Sequence, residues 1–276
     1  MANSKTRKLD YTTLAGLAVA LAGILGGLVL EKGQAQDVMQ LTAALIVFGG
    51  TAGAVLISTP RANLRRALRR CEVLLFEDRR DSRAVVDHIL TFATQARGAG
   101  IVSLEAQAEK LEDPFLRKGL MLAVDGVDTS EIRRQLELEI RLEEERADAD
   151  ARVFESAGGY APTIGIIGAV LGLIQVMKRL DNIGEVGRGI AVAFVATVYG
   201  VGAANLLFFP AAARIRARAE RESQERELMV EGILAIAEGL HPYLIRVKLE
   251  NYLDSRPAQK ERSKASGQTA AARSES

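Results

Sequence analysis

The chain predicts an all-α, polytopic membrane protein: four transmembrane helices, with a helical cytoplasmic domain between the second and third. Three observations lead there. Four stretches, Tyr11–Leu30, Val38–Thr59, Tyr160–Met177 and Ile190–Pro210, carry no acidic or basic side chain. Each runs to about 20 residues, which at about 1.5 Å per residue crosses the roughly 30 Å hydrocarbon core of a bilayer. The charge is segregated, nearly all of it lying in Arg61–Glu155 and after Arg214, so that 26% charged residues and a mean hydropathy of +0.08 conceal the apolar spans. No stretch alternates with period two, so no sheet is expected.

The expected organisation runs as follows: 1–10 an N-terminal segment, 11–59 a first transmembrane hairpin, 60–157 a helical domain in water, 158–211 a second hairpin, 212–253 C-terminal helices, and 254–276 a polar tail without aromatics that reads as disordered. Lys5, Arg7 and Lys8 before the first span resemble a signal peptide. However, Tyr11–Leu30 exceeds a usual signal core and lacks a small-residue cleavage site, so it reads as a retained helix. Arg61, Arg65, Arg66, Arg69 and Arg70 follow span two, and Arg214, Arg216 and Arg218 follow span four. The turns Glu31–Asp37 and Lys178–Gly189 are shorter and mixed in sign. An arginine bias of this kind places both termini and the large domain in the cytoplasm.

Leu64, Leu68, Cys71, Leu74 and Leu75 have helical spacing, which predicts that span two runs on toward Phe76. Ser82 reads as the N-cap of a helix through Val85, Val86, Ile89, Leu90 and Phe92, which breaks at Gly98-Ala-Gly100. A third helix through Ser103-Leu-Glu105 ends near Asp113-Pro114, and a short one covers Phe115–Val124. Thr129 is expected to cap a long charged helix from Ser130 to about Phe154, with Ile132, Leu136, Ile140 and Val153 as its thin apolar stripe. After Pro210 a charged helix and then an apolar one, Met229–Leu240, are expected before the break at His241-Pro242.

A net charge of +1 offers no basic excess to drive nucleic-acid binding, and the single cysteine, Cys71, forms no internal disulfide and reads as buried filler. His88 and His241 have no spaced Cys or carboxylate partners, so no metal site is expected and both read as structural. Gly165, Gly168 and Gly172 sit inside an apolar span without lysine, so they cradle no phosphate. No cofactor is implied, and the chain does not read as an enzyme. Those glycines fall at i, i+3 and i+7, and Gly200, Gly202 and Ala203 do similar work in span four: small residues let helices approach closely in lipid, within one chain or between subunits. Thr163 and Thr197 are the main polar groups at membrane depth, with Thr42, Thr51 and Asn205 behind them. Such a hydroxyl can simply bond the carbonyl of the preceding turn. A proton or sodium path through hydrocarbon needs an ionisable group, and these spans hold none, so a partner chain must bring the acid.

Tyr160-Ala-Pro-Thr-Ile-Gly-Ile-Ile-Gly-Ala-Val-Leu-Gly-Leu-Ile-Gln175 and Gly189-Ile-Ala-Val-Ala-Phe-Val-Ala-Thr-Val-Tyr-Gly200 resemble the third and fourth helices of the flagellar motor stator A subunits, the MotA/PomA family. Ala96-Arg97-Gly-Ala-Gly-Ile101, Ser103-Leu-Glu105 and Asp113-Pro-Phe-Leu116 through Val124-Asp-Gly126 resemble it too, as does the order of elements across residues 10–253. The resemblance implies a bacterial inner-membrane protein that is non-enzymatic: a ring of A subunits, five in the family's arrangement, around two peptidoglycan-anchored, MotB-like B subunits. The B helix would supply the ion-carrying aspartate, and the ring would push on the rotor switch protein FliG.

Carried over by motif, Arg97 and Glu105 match residues proposed to engage the rotor, Pro162 and Pro210 the prolines flanking the ion-path helices, and Thr197 the threonine near the partner's aspartate. Thr163, Ala169 and Ala196 join the same ion-path set. Sodium-driven relatives carry threonines where this chain has Ala169 and Ala196, which implies a proton-driven motor. An ExbB/TolQ-type energiser differs in layout, with one span before its large cytoplasmic segment. A membrane scaffold without ion flux is the reading from another class.

Overall fold

The computed structural model describes residues 7–9, 11–32, 38–70, 76–78, 82–178 and 180–251. It divides into two compact units, Met1–Arg79 with Glu144–Glu220, and Arg80–Glu143 with Arg221–Ser276. Among the described residues the regular secondary structure is helical except for one short ribbon, and four helices are long and apolar enough to cross a membrane.

The first unit holds the spans. Helix α1 (Tyr11–Leu30) leads, and none of its Thr13–Leu30 window is buried within the chain. Helix α2 (Leu41–Ser58) follows, with a π-helical turn at Leu45–Gly49. It stops sooner than its pattern suggests: Thr59 is extended, φ −118° and ψ 130°, and a new helix, α3 (Arg61–Arg70), begins beyond Pro60. The reason is local, because the proline ring excludes the residue before it from helical backbone. The expected helix toward Phe76 is also interrupted. Phe76–Asp78 (β2) instead pairs antiparallel with Arg7–Leu9 (β1), Arg7 opposite Asp78. Three-residue strands are too short to show alternation, so the ribbon leaves no period-two signal. Cys71, Leu74, Leu75 and the tail from Ser255 lie outside the described residues.

Span three belongs to α7 (Thr129–Met177), one unbroken 49-residue helix that contains Pro162. The break expected between Phe154 and Tyr160 does not occur. Gly158-Gly159 costs a helix about 1 kcal/mol per glycine relative to alanine, yet α7 runs through the pair, and the Phe209 ring packs against Gly158 where a side chain would clash. The expected boundary at 157/158 therefore falls inside a helix. Span four starts seven residues before Ile190, in α8 (Ile183–Ala237), where the Asn182 side chain accepts from the Gly184 N–H at 3.2 Å. This helix passes through Pro210 without ending, widened into a π turn at Ala204–Phe208.

The second unit packs α4 (Ser82–Ala99), a 3-10 turn at Ile101–Leu104, α5 (Glu105–Ala108), α6 (Pro114–Val124), the start of α7, the end of α8, and α9 (242–251) around one apolar core. Ile89, Leu104, Leu120, Ile132, Leu136, Ile233, Ile245 and Leu249 are fully buried in it. The helices meet closely: a Cβ on Gly232 would lie 2.6 Å from Ile89, and one on Gly119 would clash with Ile233. Asp113 caps α6 from the Phe115 and Leu116 N–H groups, at 2.9 and 3.1 Å. Helix α7 is capped by Asp128, whose carboxylate accepts from the Ser130 N–H at 2.8 Å, and not by Thr129, which is already helical. Met229–Leu240 is no separate helix but the end of α8. The chain turns at Gly239 (φ +70°), and His241 Nδ1 accepts from the Tyr243 N–H at 3.2 Å at the start of α9.

Candidate functional site

In the first unit, α7 and α8 pack along a seam of small residues. A Cβ on Gly165 would lie 2.8 Å from the Ala196 carbonyl oxygen, one on Gly172 2.9 Å from that of Gly189, and one on Gly200 2.5 Å from that of Ala161. A Cβ on Gly168 would meet the Ala196 methyl at 2.8 Å and Ile46 of α2 at 3.3 Å. The glycines of span three thus serve contacts inside the chain, which the sequence left open. Gly202 differs from Gly200: nothing lies within 4 Å of where its Cβ would be.

The six membrane residues singled out by sequence distribute around this seam. Ala196 is wholly buried in it, beside Ala43, Val47 and Val195. Ala169 is half-buried at its flank. Thr197 is half-buried, and its hydroxyl donates to the Ala193 carbonyl at 3.3 Å. Thr163 is exposed and donates to the Tyr160 carbonyl at 2.8 Å. Two residues from Gly165 and nine from Gly172, it lies about half a turn around α7 from the seam. Each hydroxyl proton is therefore engaged by local backbone, and each oxygen keeps lone pairs able to accept.

The two prolines lie inside the two long helices that form the seam. Pro162 lies inside α7, and its Cα would be 3.1 Å from a Cβ on Gly200. Having no N–H, it leaves the Gly158 carbonyl without its helical donor. Gly158 is where the ring of Phe209, the residue before Pro210, packs: a Cβ there would lie 2.7 Å from it. The π turn at Ala204–Phe208 supplies the extra width the Pro210 ring requires.

On the same unit the structure reveals an ionic cluster that the sequence reading did not assign. Asp150 is fully buried on α7, with Arg66 Nε 3.1 Å from Oδ1 and Arg70 Nε 3.0 Å from Oδ2. The Arg66 contact is a hydrogen bond, and the Arg70 contact is a charge pairing at unfavourable angle. Arg216 of α8 spans two further α7 carboxylates, reaching Asp148 at 2.8 Å and gripping Glu155 with both guanidinium nitrogens. Hydrogen bonds from Arg216 hold both carboxyls below their ordinary values and raise the guanidinium. The available signal was Asp150 itself, a carboxylate on the stripe of Ala147, Ala151 and Phe154.

In the second unit, Arg97 occupies the last turn of α4 and Glu105 the first turn of α5, and both are exposed. Between them Gly100 takes φ +81°, which only glycine adopts freely. The Ser103 hydroxyl closes onto the Gly100 carbonyl at 2.6 Å, the Gln95 amide onto the Ser103 carbonyl at 2.8 Å, and Leu104 is buried beneath. The tip is thus fixed by backbone and core while its two charges point outward. Among the described residues, no three His, Cys, Asp or Glu side chains gather as a metal site.

Two family models match the chain: the MotA/TolQ/ExbB proton channel family over residues 107–228, and the motility protein A N-terminal region over residues 14–98. The chain named Motility protein A from Bacillus subtilis (strain 168) is 35% identical over 249 residues, which is 90% of this chain and 92% of its own. Among solved structures, C. jejuni MotAB superposes with a TM-score of 0.84 at 32% identity, covering 88% of this chain and 96% of that one. The flagellar MotAB stator complex of Bacillus subtilis superposes at 0.81 with 34% identity, covering 90% and 98%.

Proposed function

Because the chain belongs to the MotA/TolQ/ExbB proton channel family, on its motility protein A branch, we propose that it is the A subunit of a flagellar stator, an ion-conducting complex that turns ion flow into torque on the rotor. One observation carries the reading. The apolar lengths of α7 and α8 hold no acid or base, while Thr197 offers a hydroxyl oxygen beside their seam. A neutral carboxylic acid donates to such an oxygen and a carboxylate cannot, so the site suits a protonated aspartate arriving on a partner helix. That helix belongs to a MotB-like B subunit anchored to peptidoglycan, and the A chains form a ring around it in the bacterial inner membrane, five around two. The arginine-rich flanks support a cytoplasmic location for both termini and for the segment between spans two and three. Arg97 and Glu105, held outward on a fixed tip, are the charges that meet FliG, where exposed charges steer and orient a partner.

The test is reconstitution in liposomes. The A ring alone should stay electrically silent, and addition of the B subunit with its plug removed should produce proton uptake. Robust leakage from the A ring alone would refute the reading. In cells, Arg97→Ala or Glu105→Ala should reduce torque without reducing the protein in the membrane; loss of the protein itself would remove these residues from the rotor surface. An ExbB/TolQ-type energiser is disfavoured by the two membrane helices that precede the middle domain.

A further inference from the structure

The five arginines of α3 divide between two faces of the helix. Arg66 and Arg70 turn inward to buried Asp150. Arg61, Arg65 and Arg69 are spaced four residues apart, are exposed, and meet no carboxylate among the described residues; α3 itself contains no acidic side chain. At about 100° per residue they occupy one continuous arc, with Leu68 beside Arg61 at its edge, and Leu68 is 62% exposed. Ala67 is buried on the opposite side. The helix begins three residues after the last residue of a membrane span and is separated from it by the break at Thr59-Pro60, so its direction is not set by the span. The headgroup layer is only about 5–8 Å deep, and this short helix starts at its edge. A cationic arc carrying one apolar side chain is the surface of a helix that lies along a charged interface.

We propose that Arg61, Arg65 and Arg69 form a binding site for the phosphate headgroups of anionic phospholipids, with Leu68 inserted among the acyl chains. The proposal requires only that α2 spans the bilayer and does not depend on the stator reading. Five inside-facing arginines would satisfy the topology rule whichever way each pointed; the site is indicated by the division of labour, with two committed to Asp150 and three left facing out. Each arginine near an anionic surface is worth about fivefold in lipid occupancy.

The test uses the full-length protein in nanodiscs of phosphatidylcholine with about one third phosphatidylglycerol, a composition chosen to supply the anionic surface the site requires. Native mass spectrometry after gentle delipidation reads the lipids retained. The wild type should retain phosphatidylglycerol over phosphatidylcholine by at least about tenfold. R61Q/R65Q/R69Q should lose that preference, R61K/R65K/R69K should keep most of it, and K178Q/R188Q on the other turn should not change it. A glutamine variant that retains phosphatidylglycerol like the wild type overturns the proposal. So does one that keeps its lipids but changes oligomeric state, which would assign the face to a second copy of the chain. Should the triple variant fail to accumulate, R65Q alone must show a partial loss of preference, and its absence overturns the proposal equally.

Discussion

At the residue scale the buried carboxylate Asp150 shows how much depends on which partner is left behind. Its side chain has no exposure, whereas Arg66 and Arg70 keep 42% and 30% of theirs. Removing the carboxylate leaves two arginines that water can reach, while removing the arginines leaves an anion that water cannot reach. Breaking a buried pair in the second way costs about 3–5 kcal/mol, and the first way nearer 1 kcal/mol. Asp150→Asn should therefore lower the melting point of the purified protein only slightly, and the R66Q/R70Q pair should lower it severely. Equal losses would mean that the carboxylate is hydrated. Arg216 contributes differently. The ordinary values of Asp148 and Glu155, 3.8 and 4.5, are lowered by its hydrogen bonds in the folded state. Their contribution is thus complete above those ordinary values and is lost as pH falls through the lowered ones. All three side chains are more than a third exposed, so water and salt screen the pairs. Thermal stability should be level from about pH 8 to pH 5.5, decline below about pH 4.5, and decline less in Arg216→Gln. An unchanged acid limb in that variant would exclude the cluster as its source.

At the element scale the spans were legible because lipid imposes a strong rule on composition, and Tyr160–Met177 required only counting. The ends of helices were less legible for reasons that can be named. Thr59 breaks α2 through a proline one residue on, a local signal outweighed by the apolar spacing of Leu64 and Leu68. The packing partner of Gly158 in the unbroken α7 is Phe209, fifty-one residues away, and no local pattern carries that information. The glycine seam was visible as spacing, but which glycine touches a neighbour was not: Gly200 and Gly202 look alike in sequence, and only the first faces a backbone oxygen. Gly200→Ala would force α8 from the Ala161 carbonyl, and overpacking of this kind costs about 1–3 kcal/mol. Gly202→Ala enters open space and should change stability by less than about 0.5 kcal/mol. Detergent melting curves of the two variants decide this; similar losses would mean that the seam is looser than its geometry.

At the scale of the whole molecule the question is which ion the stator uses, and the packing of Ala196 makes it testable in a way the sequence could not. The family resemblance implies that Ala169 and Ala196 are positions where sodium-driven relatives carry hydroxyls, yet the two sit in unlike surroundings. Ala169 is half-buried, so a threonine there has room to turn its hydroxyl outward. Ala196 is sealed between Gly168 and α2, so a threonine there adds two heavy atoms to a full seam. Ala169→Thr should leave stability within about 0.5 kcal/mol of the wild type, and Ala196→Thr should lose about 1–3 kcal/mol. A dehydrating sodium ion needs several oxygen ligands at once, whereas a proton needs one carboxylic acid and an acceptor such as Thr197. Neither single substitution therefore assembles a sodium site, and swimming speed in both should remain insensitive to external sodium and sensitive to a protonophore. Speed that tracked sodium in the wild type would overturn the proton assignment. Speed that began to track it in Ala196→Thr would show that this position faces the ion rather than the seam, and the α7–α8 packing would then have to open during conduction.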